Sequence, residues 1–262
     1  MRKNALAASL SLVSLAVLSS IAGFAPPAAA AEAQIRLLCS NGLRDAVEHV
    51  LPEAEKKIGR KISIEFSAST RFQKSIEEGA AFDVAILTPG IVDALTKSGK
   101  IAAGTRTDIA SADIAVGIKA GSPKADIGTP EGMKKRLLAA KTLTWTDGGA
   151  ASASTLAMFQ ALGIEDQLKS KIVLQQTPGR PAQSIAEGQY ELMFAPVSEI
   201  GTVQGVEILG YFPKEYQKPV VMSAGISANT KDAAAAKALV AFLTSPAAAS
   251  AIKAAGMKPI AK

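Results

Sequence analysis

The fold is decided by residues 35–87, which read IRLLCSNGLRDAVEHVLPEAEKKIGRKISIEFSASTRFQKSIEEGAAFDVAIL. The apolar run Ile35–Cys39 predicts a buried strand, and apolar residues at helical spacing predict a helix from Leu43 to Ile58 that ends at Gly59. A second strand, a second helix and a third strand follow, at Lys61–Phe66, Arg71–Glu78 and Phe82–Leu87. This alternation predicts a parallel sheet with crossover helices.

A second series of strands and helices predicts a second lobe. Its strands are expected at Asp113–Lys119, Thr142–Trp145, Ile172–Gln175, Glu191–Ala195 and Val220–Ala224. The helices are expected at Pro130–Ala140, Ala151–Leu162, Ala182–Glu187, Asp232–Leu243 and Pro246–Ala255. Because the last two helices have no strands of their own, we expect the chain to leave the first lobe, build the second and return.

The predicted fold class is therefore α/β, with two lobes joined by two hinge strands. Lobe one is expected at 34–112 together with 222–262, and lobe two at 113–221. The hinge strands are expected near Asp113–Lys119 and Val220–Ser227. A cleft between two such lobes is a common place for a ligand, and closing of the hinge would surround it.

Residues 1–31 have the pattern of a secretory signal peptide. The positive start Met1–Lys3 precedes the uncharged run Ala5–Phe24, and small residues follow at Ala28–Ala31. We therefore expect a cleaved leader, a periplasmic location and no stable membrane insertion afterwards. The alternative, a retained membrane anchor, is disfavoured because serines interrupt a short apolar run. Cys39 follows Leu38 inside a predicted strand, which argues against lipid attachment.

Composition narrows the class of partner. The sequence has 29 basic and 23 acidic residues, a net charge of +6, and 48% hydrophobic residues. No block of lysine and arginine stands out and aromatic residues make up 5%, so a nucleic-acid surface is not expected. A modest positive balance is compatible with a small anionic ligand. One cysteine cannot form an intramolecular disulfide, so the fold must depend on its core.

Small and hydroxyl residues follow three predicted strands, at the points where helices begin. In open parallel sheets ligands bind beyond the carboxyl ends of the strands, and helix N-termini with free N–H groups favour anions. The sequence therefore predicts a ligand site built from three strand-to-helix junctions. Its residues would be Asn41, Gly42, Ser69 and Thr70 from lobe one and Ala151 and Ser152 from lobe two. The alternative is that these residues only cap helices.

Two arginines in loops are candidates for pairing with a carboxylate or an oxyanion. Arg71 follows the second junction, and Arg180 lies in the segment Thr177–Pro181. A guanidinium group meets a carboxylate in a two-point arrangement, although either arginine could also be a solvated surface residue. Arg44, in the first turn of the first helix, is expected to be exposed.

Signatures of catalysis are scarce, and we predict a binding protein with no enzymatic activity. His49 is the one histidine and lies in the middle of a predicted helix, where a surface position is expected. One histidine and one cysteine cannot supply the usual zinc ligands, so no metal site and no cofactor are expected. The nucleophile motif Gly-x-Ser-x-Gly and the phosphate-binding loop motif do not occur.

Several motifs together resemble the molybdate-binding-like periplasmic solute-binding proteins of ABC importers. They are residues 35–46, 69–79 and 81–86 near the start, and Phe242–Pro246 with Ile252 and Gly256 near the end. The resemblance implies a type II periplasmic-binding fold and a monomer that binds a small anion between its lobes. It also implies that the permease subunits of an ABC importer are its partners. Molybdate, if bound, would be held as an oxyanion and not through metal ligands.

The resemblance also implies which residues meet the ligand. Ser69 matches the serine of the second loop, and Ala151 matches the small residue before the long helix. Gly42 and Pro196 stand where the family has a serine and a tyrosine, and Pro178 precedes the fourth-loop helix. The expected ligand is therefore a molybdate- or tungstate-like oxyanion or a carboxylate-bearing organic anion. A sensor component and an exported hydrolase are the alternative functions.

Overall fold

The computed structural model describes residues 34–176 and 181–260. In chain order the strands are β1 (Ile35–Ser40), β2 (Ile62–Ser67), β3 (Val84–Leu87), β4 (Thr107–Ala112), β5 (Ile114–Lys119), β6 (Leu143–Thr146), β7 (Ile172–Gln175), β8 (Leu192–Pro196), β9 (Val206–Tyr211), β10 (Val220–Ile226) and β11 (Lys258–Pro259). The helices are α1 (Arg44–Ile58), α2 (Ser69–Glu77), α3 (Pro89–Lys97), α4 (Pro130–Ala139), α5 (Ser152–Ala161), α6 (Glu165–Leu168), α7 (Gln183–Ala186), α8 (Val197–Ile200), α9 (Ala233–Leu243) and α10 (Pro246–Ala254).

The strands form two mixed sheets, one in each lobe. The sheet of lobe one has the order β11-β4-β10-β3-β1-β2, and that of lobe two has the order β7-β6-β8-β5-β9. In lobe one β1 is parallel to β2 and β3, while β10 runs antiparallel to β3 and β4. Lobe two repeats this pattern, because β6 is parallel to β7 and β8 while β5 is antiparallel to β8 and β9. The predicted parallel sheet therefore holds for three adjacent strands in each lobe, while β10 and β5 run the other way.

The chain passes between the two sheets twice. The first crossing is at Asp113, between β4 and β5, and the second lies between β9 and β10. The side chain of Gln217 ties the crossings together: its Oε1 accepts from Ile114 N and its Nε2 donates to Ile114 O, both at 2.9 Å. The two crossings between the sheets therefore lie side by side. We propose to place the lobe boundaries at these crossings.

Local signals in the sequence position several helix ends. Gly59 has φ 69° at the end of α1, a left-handed conformation that glycine adopts without strain, and its N–H donates to Glu55 O at 2.8 Å. The side chain of Thr129 caps α4 by accepting from Gly132 N at 3.1 Å. The expected N-cap and C-cap at these two helices are confirmed.

Six elements were not predicted, namely α3, α6, α8, β4, β9 and β11. The sequence of β4, TDIASA, is short of large apolar residues, and its small residues are buried because β10 and β11 flank the strand on both sides. Its burial comes from strands more than a hundred residues away, so local periodicity does not show it.

Four aromatic rings form the core of lobe two behind the ends of β6 and β8. Trp145 and Phe194 each lie against Phe159, with ring centroids 6.0 Å and 5.6 Å apart in edge-to-face geometry, and Phe212 lies 6.1 Å from Phe194. All four side chains are buried. The cluster fixes the ends of both strands, because edge-to-face rings allow little sliding.

No single helix among the described residues is long and apolar enough to cross a membrane. The pair α9 and α10 reaches that length and hydropathy only when taken together, and it is bent by 57°.

Replacing Phe159 by alanine is expected to lower the free energy of unfolding by about 3–5 kcal/mol, because it leaves a cavity among the rings. Leu156→Ala on the same helix is the matched control, since Leu156 is 38% exposed and Phe159 is 0% exposed. The control should cost less than about 1 kcal/mol. Urea unfolding of both variants measures this, and equal losses would contradict the assigned core.

Candidate ligand-binding site

The first junction of lobe one lies directly against lobe two. The turn Asn41–Leu43 after β1 buries Gly42, whose carbonyl accepts a hydrogen bond from Ser198 Oγ of α8 at 2.7 Å. A side chain at position 42 would collide with the end of Met222 on β10. Glycine at this position leaves space for the end of the Met222 side chain, which a larger residue would have to displace.

The second junction of lobe one contacts the third junction, in lobe two. Thr70 Oγ1 donates to the carbonyl of Gly148 at 3.1 Å, and Arg71 Nη2 donates to Gln176 Oε1 at 3.0 Å. Gly148 has φ 62°, and a Cβ atom there would overlap Thr70 Oγ1. Ser69 is buried, and its Oγ accepts from Thr88 N at 3.3 Å within lobe one.

A cavity of about 10 Å³ lies in lobe two at the carboxyl ends of β6 and β8, where α5 begins. Its lining residues are Trp145, Thr146, Gly149, Ala150, Ala151, Ser152, Phe194, Ala195, Pro196 and Glu199. This volume is close to that of one water molecule and far below the roughly 300–1,000 Å³ of pockets for drug-sized ligands, so a larger ligand requires the lobes to move apart. Thr146 Oγ1 is buried and has no hydrogen-bond partner within the described parts of the chain. A buried unpaired hydroxyl beside a helix N-terminus favours a small polar ligand.

Glu199 lies where the cavity and the first junction meet. It lines the cavity, and its Oε1 is 3.6 Å from the place that a Cβ atom on Gly42 would occupy. Burial raises the pKa of Glu199 to about 7, opposed by the charge of Arg44 and reinforced by that of Asp45. At neutral pH this carboxyl group is therefore divided between its protonated and ionised forms.

The expectation that Arg44 is exposed was wrong. Only 17% of its side chain is exposed, and its guanidinium group lies over the ring of Phe66, 4.1 Å from the centroid. Its Nη2 donates to Asn41 Oδ1 at 3.1 Å, and its Nη1 is 3.5 Å from Glu48 Oε1. Its Nε is buried without a hydrogen-bond partner in residues 34–176 and 181–260. The first turn of α1 faces the junction between the lobes, which explains the burial.

The structure brings part of the predicted site together. Ala151 and Ser152 line the cavity, and Gly42 contacts the helix that carries Glu199. Asn41 is bonded to Arg44, while Thr70 and Arg71 bind lobe two directly and do not line the cavity. Arg180, together with Thr177 and Pro178, lies outside the described residues.

Sequence reasoning missed Thr146, Arg44 and Glu199. Thr146 ends β6, and Glu199 lies in α8, which begins directly after β8, so the rule applied to the other junctions would have found them. The signal was present at Glu199 as well, because Ser198, Gly201 and Thr202 flank it.

Within the described residues no group of three or more histidine, cysteine, aspartate and glutamate side chains is placed to hold a metal ion. His49 is exposed on α1. Cys39 is fully buried, and burial raises the pKa of its thiol far above the ordinary value, so the thiolate is not formed at neutral pH.

Two mixed α/β sheets, two adjacent crossings and a cavity at the strand ends define a two-lobed binding protein with a type II periplasmic-binding fold. The chain belongs to the bacterial extracellular solute-binding proteins, whose family model matches residues 35–258. The predicted fold class and the resemblance to molybdate-binding-like proteins are confirmed.

Two relatives of different description cover most of the chain. An aconitate isomerase of Pseudomonas sp is 27% identical over 232 residues, which are 86% of this chain and 88% of the relative. A molybdate-binding protein of Azotobacter vinelandii is 28% identical over 235 residues, 87% of this chain and 91% of the relative. The solved structure of a periplasmic molybdate-binding protein from Azotobacter vinelandii has a TM-score of 0.69 at 21% identity and covers 85% of this chain and 98% of its own. That likeness shows the fold.

Glu199→Gln should stabilise the protein at pH 8 and leave its stability at pH 4.5 nearly unchanged. The pKa of Glu199 is about 7 in the folded protein and ordinary for glutamate in the unfolded chain, so the folded state holds the extra proton between these values. The stability that this proton gives is lost as the pH rises through about 7. The expected gain at pH 8 is about 1–3 kcal/mol, because the side chain is partly exposed to the cavity.

Urea unfolding across pH 4.5–8 measures this difference, with Glu53→Gln as the control. Glu53 is exposed on α1, so its replacement removes the same charge without the burial. A constant offset between wild type and Glu199→Gln at all pH values would contradict the raised pKa.

Proposed function

We propose that the protein is an extracytoplasmic receptor of an ABC-type importer that binds a small organic anion carrying carboxylate groups. The observation that carries this proposal is the cavity at the start of α5, with the unpaired hydroxyl of Thr146 and the carboxyl of Glu199 in its wall. Residues 1–31 would be its cleaved leader, the periplasm its location, and the permease subunits its partners. We expect the receptor to act as a monomer.

The positive end of α5 supports an anionic ligand. The first N–H groups of a helix have no partner within the helix and carry a partial positive charge. Ala151 and Ser152 bring the start of α5 to the cavity without a large side chain in the way, and the N–H of Ser152 already donates to Gly149 O at 3.0 Å. The charge of Arg44, which acts on Glu199, adds to the positive potential on the side of lobe one.

Two missing hydroxyl groups favour a carboxylate over molybdate. The resemblance places a serine at position 42 and a tyrosine at position 196, where this chain has Gly42 and Pro196. The end of Met222 occupies the space that a serine side chain at position 42 would take. A tetrahedral oxyanion would therefore lose two donors, whereas a carboxylate can be met by a protonated carboxyl group and an arginine.

Closure of the lobes is supported by the contacts across the cleft. Ser198 with Gly42, Thr70 with Gly148, and Arg71 with Gln176 are three hydrogen bonds between residues of different lobes. The adjacent crossings at Asp113 and beside Gln217 are the points about which the lobes would turn. We propose that the closed form is the one presented to the permease.

A thermal-shift series tests the ligand class. We expect cis-aconitate, trans-aconitate or citrate to raise Tm, and molybdate, tungstate and sulfate to have a smaller effect. At a ligand concentration of 100 Kd the stabilisation is about 2.7 kcal/mol, which corresponds to roughly 5–11 °C for a protein of this size. A response to molybdate or tungstate alone would overturn the carboxylate preference, and a response to no anion would overturn the proposal.

A pair of glycine variants tests whether closure contributes to affinity. Gly148 and Gly163 both have positive φ, 62° and 66°, so alanine at either position strains the backbone by a similar amount. Only at Gly148 would the new Cβ meet the opposite lobe, at Thr70. Gly148→Ala should weaken binding of the best anion at least about tenfold, or 1.4 kcal/mol, and Gly163→Ala should not. Equal affinities by calorimetry would contradict the role of the Thr70 contact.

A second candidate function is isomerisation of an unsaturated carboxylate such as aconitate. It is favoured by the carboxyl of Glu199 in the cavity, whose pKa of about 7 suits a group that takes and returns a proton. It is also favoured by the 27% identity with a relative described as an aconitate isomerase. Glu199 would remove a proton from a methylene carbon, and a proton would be returned to the former vinyl carbon as the double bond moves.

Proton NMR of cis-aconitate incubated with the protein tests this second function. Conversion to the trans isomer by wild type and its loss in Glu199→Gln would establish it. An unchanged spectrum with protein that binds cis-aconitate would exclude it and leave the receptor function in place.

A further inference from the structure

Glu199 is the one titratable group among the described residues that line the cavity. The other lining side chains are aromatic, aliphatic or hydroxyl-bearing, or are glycines. Glu199 is also next to Ser198, whose hydroxyl holds the carbonyl of Gly42 in lobe one. Glu199 therefore lies both in the wall of the cavity and beside the Ser198–Gly42 hydrogen bond that joins the lobes.

The charges around Glu199 come from several elements. Arg44 and Asp45 on α1 act on it directly, and Glu48 lies 3.5 Å from Arg44. On the loop after β6, Asp147 accepts a hydrogen bond from Gln176 at 2.7 Å. At the start of α8, Val197 N donates to the carbonyl of Asp113, whose carboxylate is paired with Lys258 at 3.0 Å.

We propose that Glu199 contacts the bound anion as a proton-bearing hydrogen-bond donor, so that the protein takes up a proton together with its ligand. This inference rests on the proposed function, binding of a small anion in the cavity. The carboxylate of Glu199 gains one proton from solvent, and its O–H then donates to an oxygen of the ligand. The site would thus select ionised oxygens that accept a hydrogen bond.

Two physical effects favour this state. A negative ligand beside Glu199, which lines the cavity, repels a second negative charge and so favours the protonated carboxyl. Burial has already raised the pKa of Glu199 to about 7, so little further change is needed near neutral pH. A neutral carboxyl group also forms a short and strong O–H···O⁻ hydrogen bond with a carboxylate.

The test is titration calorimetry with cis-aconitate between pH 7.5 and 9, in buffers of different ionisation enthalpy. The carboxyl groups of this probe are ionised throughout that range, so a proton that is taken up must come to the protein. For wild type we expect Kd to rise about tenfold per pH unit and proton uptake to approach one per site. Glu199→Gln keeps a donor without the titration, so its Kd should not change with pH and it should take up no proton.

Two further variants make the result specific. Glu53→Gln, an exposed site on α1, should behave as wild type does. Glu199→Asp should still take up a proton, because it keeps a carboxyl group in the same place. Proton uptake that persists in Glu199→Gln, or that is absent in wild type while cis-aconitate binds, would overturn the inference and leave the receptor function standing. Failure of every carboxylate and oxyanion to bind wild type would overturn both.

Discussion

The close approach of backbone from two lobes is the constraint on which the site depends. At Gly148 a side chain has no room, because Thr70 of the opposite lobe already occupies the space, and at Gly42 the end of Met222 fills the space from within lobe one. The carbonyl groups of both glycines accept hydrogen bonds from the opposite lobe. The two junctions thereby lock lobe against lobe and shield Glu199 from water. The raised pKa of Glu199 follows from this shielding and not from its own short helix.

The two crossings between the lobes are held together by side-chain hydrogen bonds. Gln217 bonds both the N–H and the carbonyl of Ile114, the first residue of β5, so the second linker is tied directly to the end of the first. Lys258 and Asp113 add an ion pair at the same place, although an exposed pair contributes little stability. The two crossings therefore stay side by side, and they are the points about which the lobes would turn if the hydrogen bonds across the cleft opened.

Much of the fold could be predicted because its strands and helices have strong local patterns, as at Ile35–Cys39 and at α1. The elements that were missed, such as β4, are buried by neighbours far along the chain. The candidate site divides in the same way. Hydroxyl and glycine residues after strands identified the junctions, whereas Arg44 is covered by Phe66 of β2 and Glu199 lies against Gly42 of the opposite lobe. A pattern within one segment cannot show an environment that a second segment creates.

The same carboxyl group can serve a receptor or an enzyme, and the ligand decides between them. A receptor needs Glu199 to hold its proton while the anion is bound, which burial of the carboxyl group and the negative charge of the ligand favour. An isomerase needs it to give the proton up and take another from carbon during each turnover, which requires a pKa near the working pH. The value of about 7 satisfies both demands. What separates them is whether the bound anion presents an acidic C–H bond to Glu199. Molybdate has no such bond, whereas an unsaturated carboxylate does. Fold alone therefore cannot distinguish transport from catalysis here, and the distinction lies in the contact between one carboxyl group and one carbon atom of the ligand.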